Sequence, residues 1–124
     1  MPLFYFNFTE IEYQDEPPSA EDVSKFMQLI IDRMQLATEC IVISLIYIEK
    51  LMTTSAVEIR NCNWRPLIFT AVLLASKFWE DISFWNEDFE NELELYPLKA
   101  INLMESSFVS LCDYNIYVSA NKYN

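Results

Sequence analysis

The sequence predicts an all-α fold in which one domain is built from five helices. The chain has 124 residues, of which 52% are apolar and none is glycine. Without glycine, tight hairpins that need a positive φ angle are disfavoured, and a helical domain tolerates this lack most easily. Apolar residues also recur at helical spacing along most of the chain. A chain of this length forms a single domain and can bury a substantial core.

Residues 1–18 differ in composition from the rest of the chain and predict an acidic and aromatic N-terminal arm. Aromatic residues come first, acidic residues follow, and the segment ends at Pro17 and Pro18. Two consecutive prolines interrupt regular structure. We therefore expect an extended arm whose aromatic side chains either pack against the domain or contact a partner.

Two helices are predicted after the arm. Ser19 and the acids that follow it resemble a capping box, and residues 23–34 carry apolar side chains at the spacing of an amphipathic helix. Thr38 precedes a second helix over residues 40–52, whose centre at residues 41–48 is apolar on all sides. Its β-branched residues would also allow a strand, but its length and flanking residues favour a helix. We expect this helix to be central and covered by others.

Three further helices complete the predicted domain. Asn63 is the expected cap of the third helix, which runs from about residue 64 to residue 81 and tolerates Pro66 in its first turn. This helix is also apolar over most of its surface, which predicts a compact helical core. A short fourth helix over residues 87–93 follows, and a fifth runs from Pro97 to about residue 113.

The composition excludes several classes of function. The chain has no histidine, which rules out Ser-His-Asp and Cys-His catalysis and histidine-bearing metal sites. The lack of glycine removes glycine-rich phosphate loops. A formal charge of −11 disfavours nucleic acid and anionic membranes, and the apolar runs are well short of the ~20 residues that span a bilayer. We expect no catalytic residues, cofactor or metal, and a small helical enzyme is only a distant alternative.

The cysteines indicate a reducing compartment. Cys40, Cys62 and Cys112 are odd in number, widely separated and without the spacing of a metal site. Such thiols pack as small apolar side chains, and no disulfides are expected. The first residues lack the basic region of a signal peptide. The expected location is intracellular, in the cytoplasm, the nucleus or both.

Two charged residues lie among apolar ones on the predicted third and fifth helices. Lys77 shares one side of its helix with Leu74 and Phe78, where a charge is costly unless it is paired or reaches an edge. Glu105 lies beside the apolar side of the fifth helix, four residues after Ile101. Spacing alone leaves open whether Lys77 extends into solvent and whether Glu105 is a solvated carboxylate at the boundary.

About two-thirds of the chain resembles the cyclin box, in the order and at the spacing of that family. The matching segments are residues 35–40, residues 47–51, Asn63-Trp64-Arg65, Leu73-Leu74-Ala75-Ser76-Lys77-Phe78-Trp79-Glu80-Asp81, Phe84-Trp85-Asn86, Asp88-Phe89, Met104-Glu105, Phe108 and Asn115-Ile116-Tyr117-Val118. The resemblance is close to Y-type cyclins and weaker to yeast P-type cyclins. Four positions favour the Y-type branch over cell-cycle cyclins, namely Trp64, Trp79, Trp85 and Asn86.

The resemblance implies a single cyclin box over residues 19–118, followed by a C-terminal tail of residues 119–124. It implies a non-enzymatic subunit that binds and activates a cyclin-dependent kinase of the PFTAIRE/PCTAIRE type or a related one. Such a subunit holds the αC helix of the kinase in its active position. In the family, the residues that match Lys77 and Glu105 meet at the kinase-facing surface and hydrogen-bond to backbone around αC. The other positions assigned to this surface are Leu74, Phe78, Trp79, Glu80, Asp81, Val109, Tyr114 and Ile116.

Two further expectations accompany the resemblance. The first helix lacks the Met-Arg-Ala-Ile-Leu motif of cell-cycle cyclins, so recruitment of substrates by that route is not implied. Trp79 or Trp85 should be partly exposed near Lys77. The alternative function is a cyclin-fold adaptor or a transcription-factor-like box that binds a partner other than a kinase. Such a protein would keep the core without needing Lys77 and Glu105.

Overall fold

The computed structural model describes residues 17–82 and 84–116, and these form five α-helices without any strand. The helices are α1 (Ala20–Met34), α2 (Glu39–Thr54), α3 (Trp64–Trp79), α4 (Asn86–Leu93) and α5 (Leu98–Leu111). The predicted all-α fold with five helices is confirmed. The tail of residues 119–124 and nearly all of the arm of residues 1–18 lie outside the described residues, so the domain boundaries stay a prediction.

The start of α1 follows the predicted capping pattern. The Oγ atom of Ser19 accepts a hydrogen bond of 3.1 Å from the backbone N–H of Asp22. Glu21 and Asp22 lie in the first turn, where the helix dipole favours negative charge. Buried side chains then follow at helical spacing and turn one side of α1 towards the core; they are Met27, Ile30, Ile31 and Met34.

The central helix of the domain is α3, which packs against α1, α2 and α5. Every residue from position 67 to position 76 is buried. The prediction that the second helix is covered on all sides is wrong, because α2 packs chiefly against α3 and exposes Val42, Leu45 and Met52. Helix α2 therefore lies at the edge of the described domain and α3 at its centre, although both are rich in apolar residues.

Two predicted helix caps are also wrong. Asn63 makes no capping bond to α3; instead its Oδ1 accepts from the N–H of Arg60 at 2.8 Å and its Nδ2 donates to the carbonyl of Glu58 at 2.9 Å. Its side chain therefore closes the turn that precedes α3. Thr38 likewise makes no side-chain capping bond to α2.

Helices α3 and α5 end about two residues earlier than predicted. Helix α3 ends at Trp79 because Glu80 adopts an extended backbone with ψ 138°, and α5 ends at Leu111 before a left-handed turn.

Glu80 connects the end of α3 to the start of α2. Its Oε2 accepts a hydrogen bond from the backbone N–H of Ala37 at 3.0 Å and another from the thiol of Cys40 at 3.7 Å. The carboxylate therefore lies near the N-terminus of α2, where the helix dipole favours negative charge. Burial, together with the negative charge of Glu80, raises the pKa of Cys40 to about 12, so this thiol stays protonated and can donate.

Replacement of Glu80 by alanine is expected to lower the free energy of unfolding by about 1–2 kcal/mol, because two donors lose their acceptor. Chemical denaturation measures this change. Asp81→Ala is the matched control, since Asp81 is exposed, and its effect should stay within about 0.5 kcal/mol. Equal effects of the two substitutions would contradict this role of Glu80.

The described residues contain no helix that is both long and apolar enough to cross a membrane. The three cysteines form no disulfide, and Cys40 and Cys112 are buried. Burial raises the pKa of Cys112 to about 11. Both buried thiols are therefore protonated at neutral pH and contribute to the core as small side chains.

Candidate protein-interaction site

An open groove of about 780 Å³ lies between α2, α3, α5 and the segment that follows α5. Apolar side chains line much of it, among them Leu74 and Phe78 from α3 and Val109 from α5. Leu74 is nearly buried, whereas Phe78 is 44% exposed. Seven of the ten residues assigned to the kinase-facing surface by resemblance line this groove: Leu74, Lys77, Phe78, Glu105, Val109, Tyr114 and Ile116.

Lys77 and Glu105, which we call the charged pair, meet within the groove. The Nζ of Lys77 donates to Oε2 of Glu105 at 2.6 Å, and the two side chains are 31% and 23% exposed. The Nδ2 of Asn86 donates to the other carboxylate oxygen at 2.9 Å and to Oδ1 of Asn102 at 2.7 Å. Both carboxylate oxygens of Glu105 therefore accept hydrogen bonds. Lys77 and Glu105 are thus paired with each other, and neither simply extends into solvent.

The remaining three residues assigned to the surface lie outside the groove. Glu80 bonds to the connection between α1 and α2, and Asp81 is exposed beside it. Trp79 is 39% exposed at the end of α3. Trp85 is 76% exposed and borders a smaller cavity of about 270 Å³ together with Lys77. The expectation of a partly exposed tryptophan near Lys77 is confirmed by Trp85.

Sequence reasoning missed several residues of the site. Asn102 and Ser106 lie on the same side of α5 as Glu105 and Val109, since all four follow the i, i+3, i+4, i+7 pattern. That pattern was available in the sequence and could have found them. Tyr47 also lines the groove, but it lies within an apolar run that gives no sign of which residue faces a groove.

The segment after α5 shapes one edge of the groove through an unusual backbone. Asp113 and Tyr114 both have positive φ angles, 55° and 60°, although neither is glycine. Such conformations cost about 1–2 kcal/mol per residue. The backbone N–H of Tyr114 bonds to the carbonyl of Val109 at 2.9 Å, and Nζ of Lys50 donates to the carbonyl of Asn115 at 3.3 Å. These contacts hold the turn that brings Tyr114 to the groove.

Exposed apolar side chains that line a groove are typical of a protein-binding surface. The pair is neutral as a whole, and Lys77 keeps ammonium hydrogens to donate after it has bound Glu105. The groove is therefore the candidate protein-binding surface of this helical domain.

The family model described as Cyclin matches residues 7–116. Because the match covers most of the chain, the chain belongs to the cyclin family. This family is regulatory and non-catalytic, and it acts in general through a kinase partner. No solved structure matches the chain significantly.

Proposed function

We propose that this cyclin binds a cyclin-dependent kinase through the groove and the charged pair, and activates it by positioning the αC helix of the kinase. The observation that carries the proposal is the 2.6 Å contact between Lys77 and Glu105 within an apolar groove. Phosphoryl transfer by a kinase needs its own lysine paired with the αC glutamate. A cyclin that holds αC in place allows the kinase to form this lysine–glutamate pair, and the cyclin itself catalyses no reaction.

Each part of the groove has a physical role in this proposal. The ammonium of Lys77 can donate to backbone carbonyls of the kinase while Glu105, held by Asn86, keeps it in place. Phe78, which is 44% exposed, offers apolar surface whose removal from water is worth about 25 cal/mol per Å². Trp79, Glu80 and Asp81 do not line the groove and belong to the proposed contact surface through the resemblance alone.

The partner we propose is a kinase of the PFTAIRE/PCTAIRE type or a close relative, since the resemblance is to Y-type cyclins and less to P-type cyclins. One of the positions that carries this resemblance, Asn86, bonds to Glu105 and so supports the charged pair. We also propose an intracellular location, in the cytoplasm, the nucleus or both, because such kinases act there. The acidic net charge of −11 disfavours nucleic acid as the partner.

The test is co-purification of the full chain with a panel of cyclin-dependent kinases, with phosphorylation of a peptide measured on the same samples. The expected result is a stable complex with at least one PFTAIRE/PCTAIRE-type kinase and phosphorylation that depends on the cyclin. Each kinase alone is the control. A folded chain that binds no kinase, or binds one without raising its activity, would contradict the proposal and favour the adaptor alternative.

A further inference from the structure

Tyr47 of α2 is a buried polar residue at the groove whose hydroxyl lacks a hydrogen-bond partner. The residue is 0% exposed, and its hydroxyl makes no hydrogen bond within the part of the chain that the structure describes. Its side chain nevertheless lines the groove, as do the apolar Leu74 and Phe78. A buried hydroxyl without a partner carries an uncompensated desolvation cost. A phenylalanine would avoid this cost, so the hydroxyl calls for an explanation.

The protonation state of Tyr47 makes its hydroxyl a donor. Burial, with a smaller contribution from Cys112, raises the pKa of Tyr47 to about 12. The phenol is therefore protonated throughout the physiological range and keeps an O–H that can donate a hydrogen bond.

We propose that Tyr47 determines specificity in the groove: its hydroxyl donates a hydrogen bond to a neutral oxygen of the kinase, inserted beside the apolar anchor of that partner. The inference rests on the proposed function and adds the chemistry of the inserted residue. The oxygen is a backbone carbonyl or the oxygen of a hydroxyl or amide side chain.

The surroundings of Tyr47 favour a neutral acceptor over a charged one. Apolar side chains, among them Leu74, Phe78 and Val109, line the groove together with Tyr47, and an unpaired ion beside them is costly. The cation of the groove, Lys77, is already bound to Glu105. An aliphatic anchor without an oxygen would leave the hydroxyl unpaired, so the groove discriminates against a partner that offers apolar surface alone.

The hydroxyl is covered in the unbound domain, so neighbouring side chains must move when the partner enters. Phe78 and Tyr114 line the same groove and are 44% and 72% exposed. Exposed side chains change rotamer within nanoseconds, so their rotation does not limit binding.

The test is Tyr47→Phe in the full chain, with both the dissociation constant for the co-purifying kinase and the midpoint of chemical denaturation measured. We expect affinity to fall roughly five- to tenfold, as for loss of one neutral hydrogen bond, while the denaturation midpoint stays the same or rises. Tyr96→Phe is the matched control: Tyr96 packs on Phe69 away from the groove, and its change should leave affinity unaltered.

The outcomes separate this inference from the proposed function. A wild-type chain that binds no kinase overturns both. Wild-type binding with equal affinity for Tyr47→Phe overturns the specificity role alone. A variant that is less stable but binds equally well would show that the hydroxyl serves the fold, and this also overturns the inference.

Discussion

Replacement of Lys77 by alanine is expected to weaken kinase binding by about 30-fold to several thousand-fold. Loss of one partner of a buried charge contact in an interface costs about 2–5 kcal/mol, part of which is the penalty on the charge left behind. In this domain that charge is Glu105, which keeps its bond to Asn86 but loses the ammonium at 2.6 Å. Glu105→Ala should have a similar effect, because Lys77 then loses the group that holds it in place. Isothermal titration with the co-purifying kinase measures both.

The same substitutions should leave the domain folded. Both side chains are partly exposed, and ion pairs of that kind contribute at most about 1 kcal/mol to stability. Lys25→Ala is the matched control, because Lys25 forms an ion pair with Glu21 at 3.0 Å on α1, and Lys25 and Glu21 are 72% and 74% exposed. Its effect on kinase affinity should be negligible. Wild-type affinity in Lys77→Ala and Glu105→Ala would exclude the charged pair from the kinase contact.

The sequence predicts the helices well because their signals are local. Periodic apolar residues in α1 and the cap at Ser19 are properties of neighbouring positions, and both are confirmed. The exposure of α2 could not be predicted in this way, since its apolar pattern does not say how many helices surround it. The role of Glu80 depends on a backbone N–H brought close by folding, because Glu80 and Ala37 are 43 residues apart and no local pattern joins them. Asn63 instead bonds to Arg60 and Glu58 within its own turn, and its residue type does not say whether it closes that turn or caps α3.

Some features of the candidate site could likewise be predicted from the sequence, and others could not. That Lys77 and Glu105 meet was implied by resemblance, whereas helical spacing alone allowed both to point into solvent. Asn86 and Tyr47 have roles that depend on distance and burial: one completes the hydrogen bonds of Glu105, and the other carries a hydroxyl without a partner. Neither property is visible in a sequence, where Tyr47 is one more apolar residue of α2.

Phe69→Ala is expected to destabilise the domain by about 3–5 kcal/mol, a large part of the 5–15 kcal/mol by which domains are usually stable. Phe69 lies on α3 and is 1% exposed. Its ring contacts Phe89 of α4, with centroids 6.0 Å apart, and Tyr96 at 5.0 Å, both edge to face. The substitution leaves a cavity where α3 meets α4 and the connection to α5. Urea denaturation followed by circular dichroism measures the loss.

Phe78→Ala is the matched substitution for Phe69→Ala, since it makes the same change on the same helix at a residue that is 44% exposed. Its effect on the free energy of unfolding should be below about 1 kcal/mol, because an exposed ring leaves little cavity. Its effect on kinase affinity should be at least about fivefold, since aromatic anchors at the centre of an interface contribute more than about 1 kcal/mol. A Phe78 variant that loses stability as Phe69→Ala does would show that Phe78 belongs to the core, and one that keeps its affinity would exclude Phe78 from the contact surface. The two phenylalanines thus test separately the part of α3 that holds the domain together and the part that it presents to a partner.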